Sequence, residues 1–311
     1  SRAGRSMRNA FAKAVTEMSD VFPELVLLVG DIGNRLFDQF KEKHPRRFYN
    51  CGVAEANMTG VASGLAASGL RPITYTITPF NTVRCLEQIR LDICYPDLPV
   101  IVVGTGAGLS YGGLGASHHS MEDIAILRTL PNMHVVCPAD AVEVKLAVRA
   151  ALELGRPTYI RLGKKGEPVV HTSDPEFRIG HGIVARTGSD VTILSVGNML
   201  SVAMEAAAQL DGKGISAEVV SMHTVKPLDE ALLTAVFSER KLVVVLEEHA
   251  LIGGAGSAVL EWTNARQVDA RNLLCMGGPD RFLVACGSQK EARAKLGLTA
   301  TSVAERILGR F

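Results

Sequence analysis

Leu25-Val26-Leu27-Leu28-Val29-Gly30-Asp31-Ile32-Gly33 is a short apolar run halted by a glycine-flanked turn. Five consecutive apolar residues without polar alternation suit a strand buried on both faces, as in a parallel sheet. Upstream, Met7, Ala10, Phe11, Ala14, Val15 and Met18 recur at helical spacing and predict an amphipathic helix ending before Pro23. Downstream the alternation repeats. Strand-like runs at Ile73 to Ile77, Val100 to Val103, Val135 to Cys137 and Thr158 to Ile160 are separated by helical stretches at Glu55 to Ala67, Val83 to Cys94, Met121 to Leu130 and Ala141 to Leu154. That order predicts an α/β fold with a mostly parallel sheet between helices.

From Gly163 to Ser189 the pattern lapses into Lys, Gly, Pro, Ser and Asp, an interdomain connection. A second alternating unit follows: strands at Val191 to Val196, Ala217 to Val220 and Lys241 to Leu246, and helices at Met199 to Leu210, near Gly256 to Asn264 and at Thr299 to Leu308. The expected division is therefore 1–180 and 181–311, two domains of the same class. A chain of 311 residues also exceeds what one hydrophobic core usually serves.

Composition narrows the partners. A net charge of +1 offers no basic field for nucleic acid, and no apolar run approaches the roughly 20 residues of a membrane helix. The six cysteines never fall in a metal-ligand spacing and read as reduced core residues, which points to the cytoplasm. No signal-like apolar stretch follows Ser1-Arg-Ala-Gly-Arg-Ser.

Three stretches carry chemistry. In Asn50-Cys-Gly-Val-Ala-Glu55-Ala-Asn-Met-Thr-Gly60-Val-Ala-Ser-Gly64-Leu-Ala a lone acid opens a helix of small and apolar residues. A first-turn Glu favoured by the helix dipole is the plainer reading. Gly60 and Gly64 count against it, because glycine inside a helix costs stability and needs a packing reason. Gly106 to Asn132 combines a glycine-rich loop with His118-His119 and Glu122-Asp123-Ile-Ala-Ile-Leu-Arg128-Thr-Leu-Pro-Asn132. Thr76-Ile-Thr-Pro79-Phe80-Asn81 sets an aromatic at a strand-to-helix turn; beyond it Arg84 and Arg90 flank Glu87 and read as ion-pair or interface residues.

Together these segments resemble the transketolase family, and the resemblance covers about Met7 to Leu308. The first matches its GVxExxMxxxAxG segment and the second its G-x-x-H-Q-x-x-E-x-x-x-L-R-x-x-P-N pattern, a wording that differs from 2-oxoacid dehydrogenase beta subunits. The resemblance implies a pyrimidine-binding domain followed by a transketolase C-terminal domain, with thiamine diphosphate as cofactor. By it, Glu55 is the carboxyl that hydrogen-bonds a ring nitrogen of the aminopyrimidine and favours the tautomer that deprotonates the thiazolium carbon. Asp31 stands beside the thiazolium ring and Phe80 stacks on the aminopyrimidine, although an ungapped alignment sets Asn81 at the aromatic position. His118 contacts the phosphate end of the sugar. Arg161 and Lys164 lie where the family carries a phosphate-binding arginine, and Arg5 or Arg8 is a candidate to join them. His223 and His249 fall in segments that are scaffold in the family.

Two departures matter. The magnesium signature, Gly-Asp-Gly followed by Asn, is missing, since Gly30-Asp31 runs into Ile32. No metal ligand is therefore assigned to this chain. Mg2+ is expected on a separate diphosphate-binding N-terminal subunit, with self-association into a heterotetramer. Leu114 replaces an aspartate that reads a sugar hydroxyl, and Arg35 replaces a phosphate-binding serine, leaving an arginine able to grip phosphate bidentately. The expectation is two-carbon ketol transfer from a ketose (phosphate) donor to an aldose. The alternatives are decarboxylating condensation from a 2-oxoacid, like deoxyxylulose-phosphate synthase or a 2-oxoacid dehydrogenase beta subunit, and a non-catalytic subunit.

Overall fold

The computed structural model describes residues 6–33, 35–164, 166–284 and 286–311. Six parallel strands build most of the first sheet: β1 (Leu25–Val29), β2 (Phe48–Asn50), β3 (Arg71–Ile77), β4 (Ile101–Thr105), β5 (His134–Val136) and β6 (Thr158–Leu162). In the second sheet β7 (Ile183–Arg186) is antiparallel to β9 (Ala217–Ser221), while β8 (Val191–Ser195) runs parallel to β9. One strand crosses between the halves. β10 (Thr224–Lys226) pairs antiparallel with β5, giving the first sheet the order β10-β5-β6-β4-β3-β1-β2. β11 (Leu242–Ala250) and β12 (Leu273–Gly278) complete the second sheet, in the order β12-β11-β8-β9-β7. Every residue of β1, β4, β6 and β8 is buried, as strands covered on both faces require.

The halves share one core. A single apolar cluster runs from Leu28, Met58 and Val102 of the first unit to Leu194, Val245 and Trp262 of the second. Polar seams reinforce it. The buried Glu248 carboxylate accepts from the Leu109 amide at 2.7 Å and pairs with Arg293. Among the described residues no helix is long and apolar enough to cross a membrane.

The helices at Glu55–Ala67 and Ala141–Leu154 coincide with the sequence reading. The stretch Val83 to Cys94, expected as one helix, is instead a 3₁₀ turn (Val83–Cys85), a short α segment (Leu86–Gln88) and a π-helix (Ile89–Cys94). Cys85, Ile89 and Ile93 recur every four residues and are all buried, a period above 3.6 that the wider π winding accommodates. The helix expected over Met121 to Leu130 is confined to Asp123–Arg128.

Candidate active site

The carboxyl ends of β1, β3, β4 and β6, which lie side by side, release the segments that carry Asp31, Phe80, His118 and Lys164. Open α/β sheets collect ligands at this edge. Glu55 enters from the β2 side at the first turn of Glu55–Ala67.

Glu55 is 4% exposed. A Cβ on Gly30 would crowd its Cγ at 3.3 Å, so the glycine ending β1 makes room for the carboxylate. The carboxylate accepts from Arg84 Nη1 at 3.0 Å, and the guanidinium carbon of Arg84 lies 4.2 Å from the centre of the Phe80 ring. Phe80 meets the His118 ring edge-on, with centroids 5.3 Å apart. His118 meets Tyr111 at 5.5 Å, and Lys164 Nζ sits 4.1 Å over the Tyr111 ring. One continuous row of contacts thus links a buried carboxylate to an ammonium.

The local fold explains the row. Asn81 is fully buried and donates to the carbonyls of Thr74 and Val103, which locks the turn after β3 and leaves the half-buried Phe80 facing His118. His119 is buried, its Nε2 3.2 Å from the Gly112 carbonyl, and anchors the loop that presents His118. Burial, then the nearby His119 and Lys164, hold the His118 imidazole below the ordinary histidine value.

The other expected residues stand outside this row of contacts. Asp31 is exposed on a left-handed turn (φ 52), its Oδ1 accepting from Asn50 Nδ2 at 3.2 Å. Arg35 stands on an exposed turn (φ 64) and enters none of the contacts of the row. Arg161 differs most from expectation. It is 5% exposed and grips the fully buried Asp123 through Nε at 2.7 Å and Nη2 at 3.1 Å. Its Nη2 also donates to the carbonyls of Ser120 and Glu248. A guanidinium so enclosed braces the two sheets rather than reaching for a phosphate. Arg8 is half-buried near Tyr75 and Tyr111, whereas Arg5 lies outside the described residues.

Sequence reasoning missed two members of the row. Arg84 and Arg90 were both expected as ion-pair or interface residues around Glu87; Arg90 pairs with Glu87 at 2.8 Å, whereas Arg84 pairs with Glu55. Tyr111 drew no notice, although it is the one aromatic among Gly106, Gly108, Gly112, Gly113 and Gly115.

The Arg84 guanidinium also tests whether the residues suit an aminopyrimidine. It is a flat group held between the Phe80 face and the Glu55 carboxylate, the places where such a ring would stack and meet the carboxyl; the protonated carboxyl would donate to the ring nitrogen, whereas it now accepts from Arg84. The residues fit the group. Among the described residues no cluster of three or more His, Cys, Asp or Glu side chains converges as a metal site.

Comparison with known proteins matches residues 3–167 to the transketolase pyrimidine binding domain and residues 180–303 to the transketolase C-terminal domain. A putative transketolase C-terminal section of Methanocaldococcus jannaschii is 36% identical over 307 residues, covering 98% of this chain and 96% of that protein. One of the apulose-4-phosphate transketolase subunits of Phocaeicola vulgatus is 32% identical, covering 97% of this chain and 96% of that protein. A solved structure described as a split gene transketolase, inactive beta4 tetramer, superposes with a TM-score of 0.87 at 38% identity, covering 98% of this chain and 97% of that one.

Proposed function

This chain belongs to the transketolase family, matching C-terminal sections of its split members over nearly their whole length, and from that premise we propose that it is the pyrimidine-side subunit of a two-carbon ketol transferase. The observation that carries the reading is that Arg84 bridges buried Glu55 and the half-buried Phe80 ring at the sheet's carboxyl edge.

When bound, thiamine diphosphate supplies the nucleophilic carbon and the electron sink of the transfer. Glu55 donates its carboxyl proton in a hydrogen bond to a ring nitrogen of the aminopyrimidine and so sets its tautomer. Phe80 offers that ring an apolar face, and Asp31 stands on the thiazolium side. His118 and Lys164, at the far end of the row, bind the phosphate end of a sugar substrate. The diphosphate and its Mg2+ belong to a separate N-terminal subunit, since the run from Gly30 into Ile32 lacks the Gly-Asp-Gly signature. On this reading a lone chain is inactive and self-associates, and the relative described as an inactive beta4 tetramer supports it.

The test is reconstitution with the diphosphate-binding partner, thiamine diphosphate and Mg2+. Ketose phosphate plus aldose should give ketol transfer, with a loss of about 10² to 10⁴ in Glu55→Gln. Carbon dioxide release from pyruvate without ketol transfer would replace the reading with decarboxylating condensation. Full activity in Glu55→Ala would remove the catalytic assignment.

A further inference from the structure

Tyr111 has no part in the reading above, yet the loop is built around it. Gly106 has φ +73, and a Cβ there would overlap the Tyr111 ring, so the ring packs against the glycine backbone. The amide of Leu114 donates to the Tyr111 carbonyl at 2.8 Å and closes the turn beneath it. The ring is packed against Gly106, and the Lys164 ammonium lies over it at 4.1 Å.

That contact serves a need set by the sequence. Lys164 follows β6 between Gly163 and Gly166, on a flexible four-carbon stem that loses up to about 2 kcal/mol of rotamer freedom when it is held. An aromatic face within about 6 Å holds an ammonium without neutralising it, leaving its donors for an anion. His118 contacts the same ring at 5.5 Å, so Tyr111 holds imidazole and ammonium near one another. Burial raises the Tyr111 phenol, with the charge of Arg8 acting the other way, and the side chain stays neutral. Leu114, 55% exposed beside it, has no polar atom with which to read a hydroxyl. Discrimination then falls to the charged end of the substrate.

We propose that Tyr111 is a positioning residue for the anionic end of the sugar substrate, holding Lys164 beside His118 so that the pocket selects substrates by a terminal phosphate. The proposal rests on the ketol-transfer reading.

The experiment uses the reconstituted complex and two acceptors of one carbon skeleton, an aldose phosphate and the free aldose. Tyr111→Leu should raise KM for the phosphorylated acceptor roughly 2- to 30-fold, the span of a cation–π contact. It should leave kcat and the KM for the free aldose unchanged. Tyr111→Phe keeps the ring and should behave as the wild type. Lys164→Met, which removes the ammonium itself, should raise that KM at least as far as Tyr111→Leu, and the double variant should be no worse than Lys164→Met, as expected of a residue acting through the other. Lys164→Met, at a half-buried loop position, covers the case in which Tyr111→Leu fails to fold. Equal damage in Tyr111→Phe and Tyr111→Leu, a fall confined to kcat, or additive losses in the double variant would overturn the proposal. Titration of the isolated chain with the aldose phosphate, followed by ³¹P NMR, separates this claim from the one beneath it. Weaker binding in Tyr111→Leu with no ketol transfer by the wild-type complex keeps the positioning role and rejects the reaction. Normal transfer with no Tyr111 effect on KM or binding rejects the positioning role alone.

Discussion

Replacing Asp123 by Asn leaves the Arg161 guanidinium enclosed without its counter-charge. Asp123 is fully buried and accepts from Arg161 Nε, Arg161 Nη2 and the Tyr159 hydroxyl, the last at 2.6 Å. Burial alone would raise this carboxyl, but the charge and hydrogen bonds of Arg161 outweigh it and hold the group below the usual carboxylate range. Removing one partner of a buried pair costs about 3 to 5 kcal/mol, because the remaining charge keeps its full desolvation penalty. With a urea slope near 3 kcal/mol per molar, the unfolding midpoint should fall by roughly 1 to 2 M. Two probes are available: far-UV circular dichroism for the whole chain, and fluorescence of Trp262, the single tryptophan, in the second unit. Since Arg161 also donates to the Glu248 carbonyl of β11 at 3.0 Å, both should shift together. Asp123→Leu combined with Arg161→Met should recover only part of the loss, since it removes the unpaired charge but takes a partner from the Tyr159 hydroxyl and from the Ser120 and Glu248 carbonyls. The sign with pH follows from the depressed folded value. The pair's contribution is complete above the unfolded pKa of about 3.9 and is lost as pH falls through the folded one. A cost below about 1 kcal/mol with coincident probes would mean that the pair is effectively solvated and does not brace the sheets.

Arg84 covers the Phe80 face and keeps the Glu55 carboxylate as its acceptor, so Arg84→Ala should tighten thiamine diphosphate binding to the reconstituted complex roughly 3- to 30-fold by calorimetry, the range of a half-exposed ion pair plus a cation–π contact; weaker binding would show that Arg84 assists the ring. His223 is buried against Phe177 at a ring separation of 3.9 Å, and burial lowers its imidazole to about 4. As pH falls from about 6.5 to 4 the unfolded chain gains a proton that the folded one refuses, so stability should decline by roughly 3 kcal/mol, with a flatter slope in His223→Gln. The buried thiols of Cys94 and Cys137 are each pushed up to about 12 by desolvation. Both should resist a thiol-disulfide reagent at pH 8 until the chain is denatured, and rapid native labelling would contradict their enclosure.

The sequence revealed the fold where a periodicity was long or a run uniformly apolar. Leu25–Val29 and Ala141–Leu154 are such cases, each set by local pattern and confirmed by burial on the expected faces. It failed where geometry depends on distant residues. Nothing near Arg161 announces Asp123, 38 residues away, so a basic residue ending a strand read as a ligand group when it is a brace. Glu55 and His118 stood out because their neighbours were distinctive. Tyr111 and Arg84 enter the row through ring and guanidinium contacts that sequence spacing does not encode. The glycine pattern around Tyr111 was the available signal, since a loop of glycines with one ring implies backbone making room for that ring.

The short strand Thr224–Lys226 bears on how this polypeptide can be cut and recombined. It lies in the second half of the chain yet pairs with His134–Val136, and the Lys226 ammonium reaches back to the carbonyls of Arg128 and Leu130. A fragment ending near residue 180 would leave His134–Val136 as a bare margin, open to pairing with another molecule and so to aggregation. Exchange of the second half with that of a relative would also exchange a piece of the first sheet. For gene shuffling, the natural seams lie outside this pair of halves, which are best moved as one inheritable block.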